Sequence, residues 1–247
     1  NRRVAGLVAN LHCAPTNLAA KNLLREGVPV QQVKVTGNTV IDALLWTIQR
    51  ERSRGEQWAK KYAMLTRPKS VLITGHRREN FGGGFAQICE AIGKLARTFN
   101  DVDFIYPVHL NPNVQQPVYK TLGTLENVHL VPPASYPEFV WLMDRSYLIL
   151  TDSGGVQEEA PSLHKPVLVM RDTTERPEAV EAGGVELVGA SCFNIVRAVS
   201  QLLRDSSEYV KRQIEVNPYG DGDSAHRIIE LVAQRAWESR AAVRIAA

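Results

Sequence analysis

In the stretch Tyr147-Leu-Ile-Leu-Thr-Asp-Ser-Gly-Gly-Val-Gln-Glu-Glu-Ala-Pro161, an apolar run of strand type gives way to Ser153, Gly154 and Gly155, then to residues of good helix-forming composition. A small-residue turn between strand and helix aims backbone N–H groups and the positive end of the helix at an anion. Two glycines let a phosphate approach without a Cβ in the way. Glu159, about one helical turn further on, is placed to accept hydrogen bonds from vicinal hydroxyls such as those of a ribose. The chemistry suggested is the binding of a nucleoside diphosphate. The same residues also suit an ordinary N-cap and turn in which Glu158 and Glu159 favour the helix dipole.

Two further segments repeat the pattern. Leu72-Ile-Thr-Gly-His-Arg-Arg-Glu-Asn-Phe-Gly-Gly-Gly84 follows a strand run and precedes a helix, and it gathers His76, Arg77 and Arg78 beside a glycine loop. Arginine suits bidentate phosphate contacts, and His76 can donate to a phosphate or a leaving-group oxygen. The plainer reading is a solvated basic turn. Val169-Met-Arg-Asp-Thr-Thr-Glu-Arg-Pro-Glu178 is too polar for core and too long for a tight turn; it either faces a sugar or forms a surface loop capped by Pro177. His109, at the end of a fourth strand run, reads as a structural histidine. Phe139 and Trp141 read by default as core aromatics, though either could stack on a base.

These residues need strands that end together. Strand runs are expected at 70–74, 102–108, 128–131, 147–150, 166–170 and 185–188, separated by helical stretches at 85–98, 114–122, 136–144, 156–163, 177–182 and 192–203. That alternation predicts an α/β fold with a doubly wound parallel sheet, in which ligands bind at the carboxyl ends of the strands. Upstream, Leu11–Pro15 and Val33–Thr36 read as short strands, with a helix from Thr16 and another over 39–54. Gly37 and Asn38 punctuate the chain, and a polar link from Asn217 leads into a final helix over 224–240.

Composition removes several functional classes. A formal net charge of +3 and the lack of a dense Lys/Arg run give no case for nucleic acid. No apolar run has spanning length, so a membrane reading has no support. Cys13, Cys89 and Cys192 lack metal-ligand spacing and suit reduced thiols in the cytoplasm. No Walker, Gly-x-Ser-x-Gly or Gly-x-Gly-x-x-Gly pattern appears, so neither a metal nor a dinucleotide cofactor is expected.

Taken together, Thr36-Gly-Asn-Thr-Val-Ile-Asp42, Gly75-His-Arg-Arg-Glu-Asn80, Tyr106-Pro-Val-His-Leu-Asn-Pro-Asn-Val114, the Thr151–Pro161 segment and Met170-Arg-Asp-Thr-Thr-Glu-Arg-Pro-Glu178 resemble the non-hydrolysing UDP-N-acetylglucosamine 2-epimerases. The likeness runs from Asn1 to about Gly222. It implies the two-Rossmann-domain (GT-B) arrangement, with this chain supplying the C-terminal, UDP-binding domain. On that basis residues 1–37 would be a remnant of the N-terminal domain, 38–217 the UDP-binding domain, and 218–247 a helix packing back toward the N-terminal domain.

The resemblance also implies roles. Ser153, Gly154 and Gly155 would hold the diphosphate, Glu159 the ribose hydroxyls and Phe139 the uracil environment, while Arg176 would bind substrate or the leaving diphosphate. His76 would assist the departure and return of UDP, and His76 with Arg77 would meet a second, activating UDP-N-acetylglucosamine. The family reaction resembles elimination of UDP followed by re-addition with inverted C2; the family is usually dimeric, which implies a homodimer. The chain opens without Met, and the family's carboxylate acid/base residues would fall upstream of Asn1. It is therefore expected to bind UDP but turn over UDP-N-acetylglucosamine poorly. A GT-B glycosyltransferase and a non-catalytic UDP-sugar-binding module remain as alternatives.

Overall fold

The computed structural model describes residues 2–75, 77 and 83–245. The chain divides into two compact units, Asn1–Leu45 with Pro218–Ala247, and Trp46–Asn217.

The smaller unit begins with helix α1 (Arg2–Val8), strand β1 (His12–Ala14), helix α2 (Asn17–Arg25) and strand β2 (Val33–Val35). β1 and β2 pair in parallel, with Cys13 opposite Lys34. Thr16 starts α2 by accepting the Ala19 N–H on its hydroxyl at 3.1 Å, as an N-cap of its type should. Helix α3 (Thr39–Ser53) follows Gly37, whose φ of +87° is a conformation that favours glycine. A Cβ there would also fall 2.3 Å from Ser224 Oγ.

The larger unit continues with α4 (Gly55–Lys61), β3 (Lys69–Thr74), α5 (Gly83–Thr98), β4 (Val102–Pro107), α6 (Pro112–Leu122), β5 (Val128–Val131) and α7 (Tyr136–Arg145). Then come β6 (Leu148–Thr151), α8 (Gly154–Glu159), β7 (Val167–Val169), α9 (Pro177–Glu181), β8 (Val185–Leu187), α10 (Cys192–Arg204) and α11 (Ser206–Lys211). Six parallel strands lie in the order β5-β4-β3-β6-β7-β8. The winding runs one way from β3 to β5 and the other way from β6 to β8, so the fold is the doubly wound parallel sheet that the strand–helix alternation predicts.

The strands read as unbroken apolar runs because both faces of the sheet are covered. Val71 and Ile73, Phe104 and Tyr106, and Leu148 and Leu150 join one core cluster with Phe85, Ile88, Ile92 and Leu95 of α5 and Ile195, Val199 and Leu202 of α10. The intervening Leu72, Ile105 and Ile149 are equally buried and point to the other face, as the two-residue period of a strand requires. Asn127 closes the turn between α5 and β4, its side-chain amide donating to the carbonyls of Ala96, Phe99 and Val102 at 3.0–3.1 Å.

Three local differences from the sequence reading have physical causes. The helix expected over 156–163 stops at Glu159 and tightens into a 3-10 turn, Ala160–Leu163, where Pro161 lacks the N–H that α-helix would need. α4 and α11 are additional short helices. α4 is tied down by non-local contacts: Trp58 Nε1 donates to buried Glu51 at 2.7 Å, and Lys61 pairs with Glu138 of α7. The chain finally returns to the smaller unit as α12 (Ser224–Ile245), where Asp42 accepts the Ala225 N–H at 2.7 Å and Arg235 donates to the Gln31 carbonyl at 2.9 Å.

Candidate functional site at the carboxyl rim of the sheet

β3 and β6 are sheet neighbours although five elements separate them in the chain, so their carboxyl ends form the point where the winding reverses. Thr74 and Thr151, directly opposite in register, share a hydroxyl–hydroxyl bond of 2.5 Å. Thr151 Oγ1 also accepts the Ser153 N–H at 2.9 Å, which turns the chain out of the strand. Asp152 reaches across and accepts the backbone N–H of Arg77 at 2.8 Å. From beneath, the buried hydroxyl of Tyr106 on β4 donates to the Gly75 carbonyl at 2.7 Å. A Cβ at Gly75 would meet that hydroxyl at 3.0 Å, so the turn after β3 is seated closely on β4.

The polar segment after β7 is attached to the same rim. Gln157 of α8 donates to the Ser153 carbonyl at 3.1 Å and accepts from the Thr174 hydroxyl at 2.6 Å. Thr174 Oγ1 in turn accepts the Arg176 N–H at 3.0 Å. Arginines then gather on Glu175: Arg171 at 2.9 Å, Arg176 at 3.1 Å and Arg77 at 3.7 Å. Burial alone would raise the Glu175 carboxyl, but its own backbone N–H and the guanidiniums of Arg171 and Arg176 bring it below its ordinary value. Arg176 also bonds Glu158 at 2.7 Å. A Cβ placed on Gly154 would lie 3.2 Å from Glu175 Oε1 and 3.5 Å from Arg176 Cζ, so this cationic group borders the glycine turn.

Glu159, at the end of α8, is buried, and Tyr136 donates to its Oε2 at 3.1 Å. Burial pushes the Glu159 carboxyl up to about 7; the Tyr136 bond works against that rise and the charge of Glu158 adds to it. Its other oxygen, Oε1, lies 3.7 Å from where a Cβ on Gly155 would be. Phe139 is half-buried on α7, one turn beyond Tyr136.

A family model described as UDP-N-acetylglucosamine 2-epimerase matches residues 1–233. The chain belongs to this epimerase family. It is 53% identical over 236 residues to the UDP-N-acetylglucosamine 2-epimerase of Yersinia pestis, covering 94% of this chain and 63% of that one. With the Campylobacter jejuni enzyme the identity is 50% over 239 residues, again 94% of this chain and 62% of the relative. Among solved structures, the UDP-GlcNAc 2-epimerase of Neisseria meningitidis bound to UDP-GlcNAc is 45% identical and superposes with a TM-score of 0.90 over 95% of this chain and 64% of that one. The S. aureus MnaA–UDP co-structure is 42% identical, with a TM-score of 0.85 over 93% and 61% of the two chains. The chain thus spans a little under two thirds of the length of these relatives.

In this epimerase-family chain, Ser153, Gly154, Gly155, Arg77 and Arg176 occupy the ends of three adjacent strands or the helix starts that follow them, and Glu159 ends the short helix α8 that begins at Gly154. His76 lies outside the described residues. Trp141 is core, stacked on Tyr62 with ring centroids 5.6 Å apart, whereas Phe139 is not fully buried. His109 is exposed and accepts the Asn111 N–H on Nδ1 at 3.1 Å. Sequence reasoning passed over Tyr106, Tyr136, Asp152 and Glu175. The polar residues among these stood inside motifs already noted, but their partners lie 31, 23 and 75 residues away for Tyr106, Tyr136 and Asp152, where no local pattern points to them. Among the described residues, no group of three or more His, Cys, Asp or Glu could hold a metal ion, and no helix is long and apolar enough to cross a membrane.

Proposed function

We propose that the larger unit binds the UDP portion of UDP-N-acetylglucosamine for a 2-epimerisation, and that its rim stabilises the departing diphosphate. The observation that carries this reading is the meeting of the β3, β6 and β7 ends, which sets Arg77, Arg171 and Arg176 beside the Ser153–Gly155 turn. Ser153, Gly154 and Gly155 take the diphosphate, with Arg176 alongside. A diphosphate there competes with Glu175 for the guanidiniums of Arg171 and Arg176. Glu159 accepts the ribose hydroxyls and Phe139 borders the uracil. His76, which stands in sequence between Gly75 and Arg77, assists departure of the diphosphate.

In the reaction, a base removes the C2 proton of the sugar, the electron pair forms the C1–C2 double bond, and the C1–O bond breaks to release UDP. Re-addition of UDP at C1 and of a proton at C2 from the opposite face gives the epimer. Charge develops on the leaving diphosphate, and preorganised donors there lower the barrier. That is the larger unit's share of the chemistry.

Calorimetric titration of the chain with UDP and with UMP tests the binding half of this reading. UDP is expected to bind much more tightly than UMP, and equal affinity would remove the diphosphate assignment. Incubation of a full-length version with UDP-N-acetylglucosamine and no acceptor in heavy water tests the chemical half: an epimerase exchanges deuterium into C2, whereas a glycosyltransferase does not. The identity of about half the residues to proteins named as epimerases favours the first outcome.

A further inference from the structure

Tyr136 opens α7, yet α7 does not need it to start. Glu138 accepts the Ser135 backbone N–H at 3.3 Å in a capping box, which fixes the first turn without the Tyr136 side chain. Nor does the core need the ring, since Tyr136 is 41% exposed. Its hydroxyl instead crosses to Glu159 Oε2 at 3.1 Å. A carboxylate is planar and its terminal torsion is soft, so an acid side chain without such a donor can present either oxygen over a broad range of angles. Holding Oε2 from α7 leaves Oε1 turned toward the Gly155 side.

We infer that Tyr136 is a positioning residue for ribose selection: by bonding one oxygen of Glu159 it presents the other to the vicinal hydroxyls of the nucleotide. The inference rests on the UDP-binding reading above and goes beyond it, because it assigns the discrimination of a ribose diol to a tyrosine that touches the carboxylate. The tyrosine bond also works against the rise that burial and the nearby Glu158 impose on the carboxyl, and so favours the charged, accepting form. Among the described residues, the titratable and charged groups facing Glu159 are Tyr136 from α7 and Glu158 from its own helix, the latter paired with Arg176.

The test is a titration of the chain and of its Tyr136→Phe variant with UDP and with 2′,3′-dideoxy-UDP, which lacks the diol. The wild-type chain is expected to prefer UDP. Tyr136→Phe should weaken UDP about five- to tenfold and leave the dideoxy nucleotide unaffected, the size expected for the loss of one ordinary hydrogen bond. In a Glu159→Gln background the same change should have no further effect, since the coupled partner is gone. The midpoint of UDP affinity against pH should also move upward in Tyr136→Phe, a shift that a merely structural tyrosine would not cause. Equal weakening of both nucleotides, or unchanged UDP affinity, overturns the inference. Failure of the wild-type chain to distinguish the two nucleotides overturns the ribose role of Glu159 and the inference with it, whereas failure to bind UDP at all overturns the proposed function.

Discussion

Glu159 is the residue whose environment has the most direct consequence for pH. Burial lifts its carboxyl from 4.5 to about 7, so between those values the folded chain keeps a proton that the unfolded chain has released. Its contribution to stability is therefore fully present below the unfolded value and is lost as pH rises through about 7. Glu159→Gln removes that dependence. Relative to wild type, the variant should gain up to ~3 kcal/mol of stability between about pH 4 and about pH 8, read from denaturant melts at the two ends. UDP binding should respond in the opposite sense and tighten as pH rises through the same range, because the charged carboxylate is the better acceptor. Glu175 makes a second prediction at this scale. If the diphosphate takes over its arginines, Glu175→Gln removes an internal competitor and should tighten UDP about three- to tenfold by calorimetry, the equivalent of a weakened charge-assisted bond. A loss of affinity would instead mark Glu175 as a residue that keeps the arginines in place for the ligand.

Among the elements, the strand β4 acts as a shelf for the turn after β3. Tyr106 is buried and its hydroxyl satisfies the Gly75 carbonyl, while burial holds the phenol well above its ordinary value and so keeps it a donor. Tyr106→Phe keeps the ring and strands the carbonyl, so it should cost ~1–3 kcal/mol in a thermal or denaturant melt and weaken UDP by loosening the turn. An unchanged midpoint would mean that water replaces the hydroxyl. The elements themselves were largely legible in the sequence. Buried parallel strands announce themselves as runs such as Val71–Ile73 and Leu148–Leu150, and the glycine-rich breaks mark where each run ends. What the sequence withheld was the pairing. Asp103, fully buried on β4, bonds Arg67 at 2.7 Å and His129 at 2.8 Å, and its carboxyl falls below its ordinary value because those bonds outweigh the burial that would raise it. His129 had no distinguishing neighbours in the sequence, because the residue that explains it belongs to the adjoining strand. The short helices α4 and α11 were missed for a similar reason: each is held by contacts from other elements and is too brief to carry a periodic signal.

At the scale of the molecule, the two units differ in how much they can stabilise by themselves. The larger one has a six-stranded sheet covered on both faces, whereas the smaller rests on a two-stranded pair, which is marginal alone. A fragment running from Thr39, to keep α3 whole, through Asn217 should therefore unfold cooperatively and bind UDP as the chain does. A broad, non-cooperative melt by circular dichroism would show that its core depends on the remaining residues. Within the larger unit, the two directions of winding are joined at their meeting point by Asp152, which accepts the main-chain amide of Arg77 rather than its guanidinium. That choice of atom separates shape from charge. Any residue with a backbone N–H can complete the clasp, so neutral replacements at position 77 change electrostatics while the turn stays where it was, and proline alone is barred. Position 77 is thus a place where evolution, or an experimenter, can retune the ligand's surroundings without redrawing the scaffold.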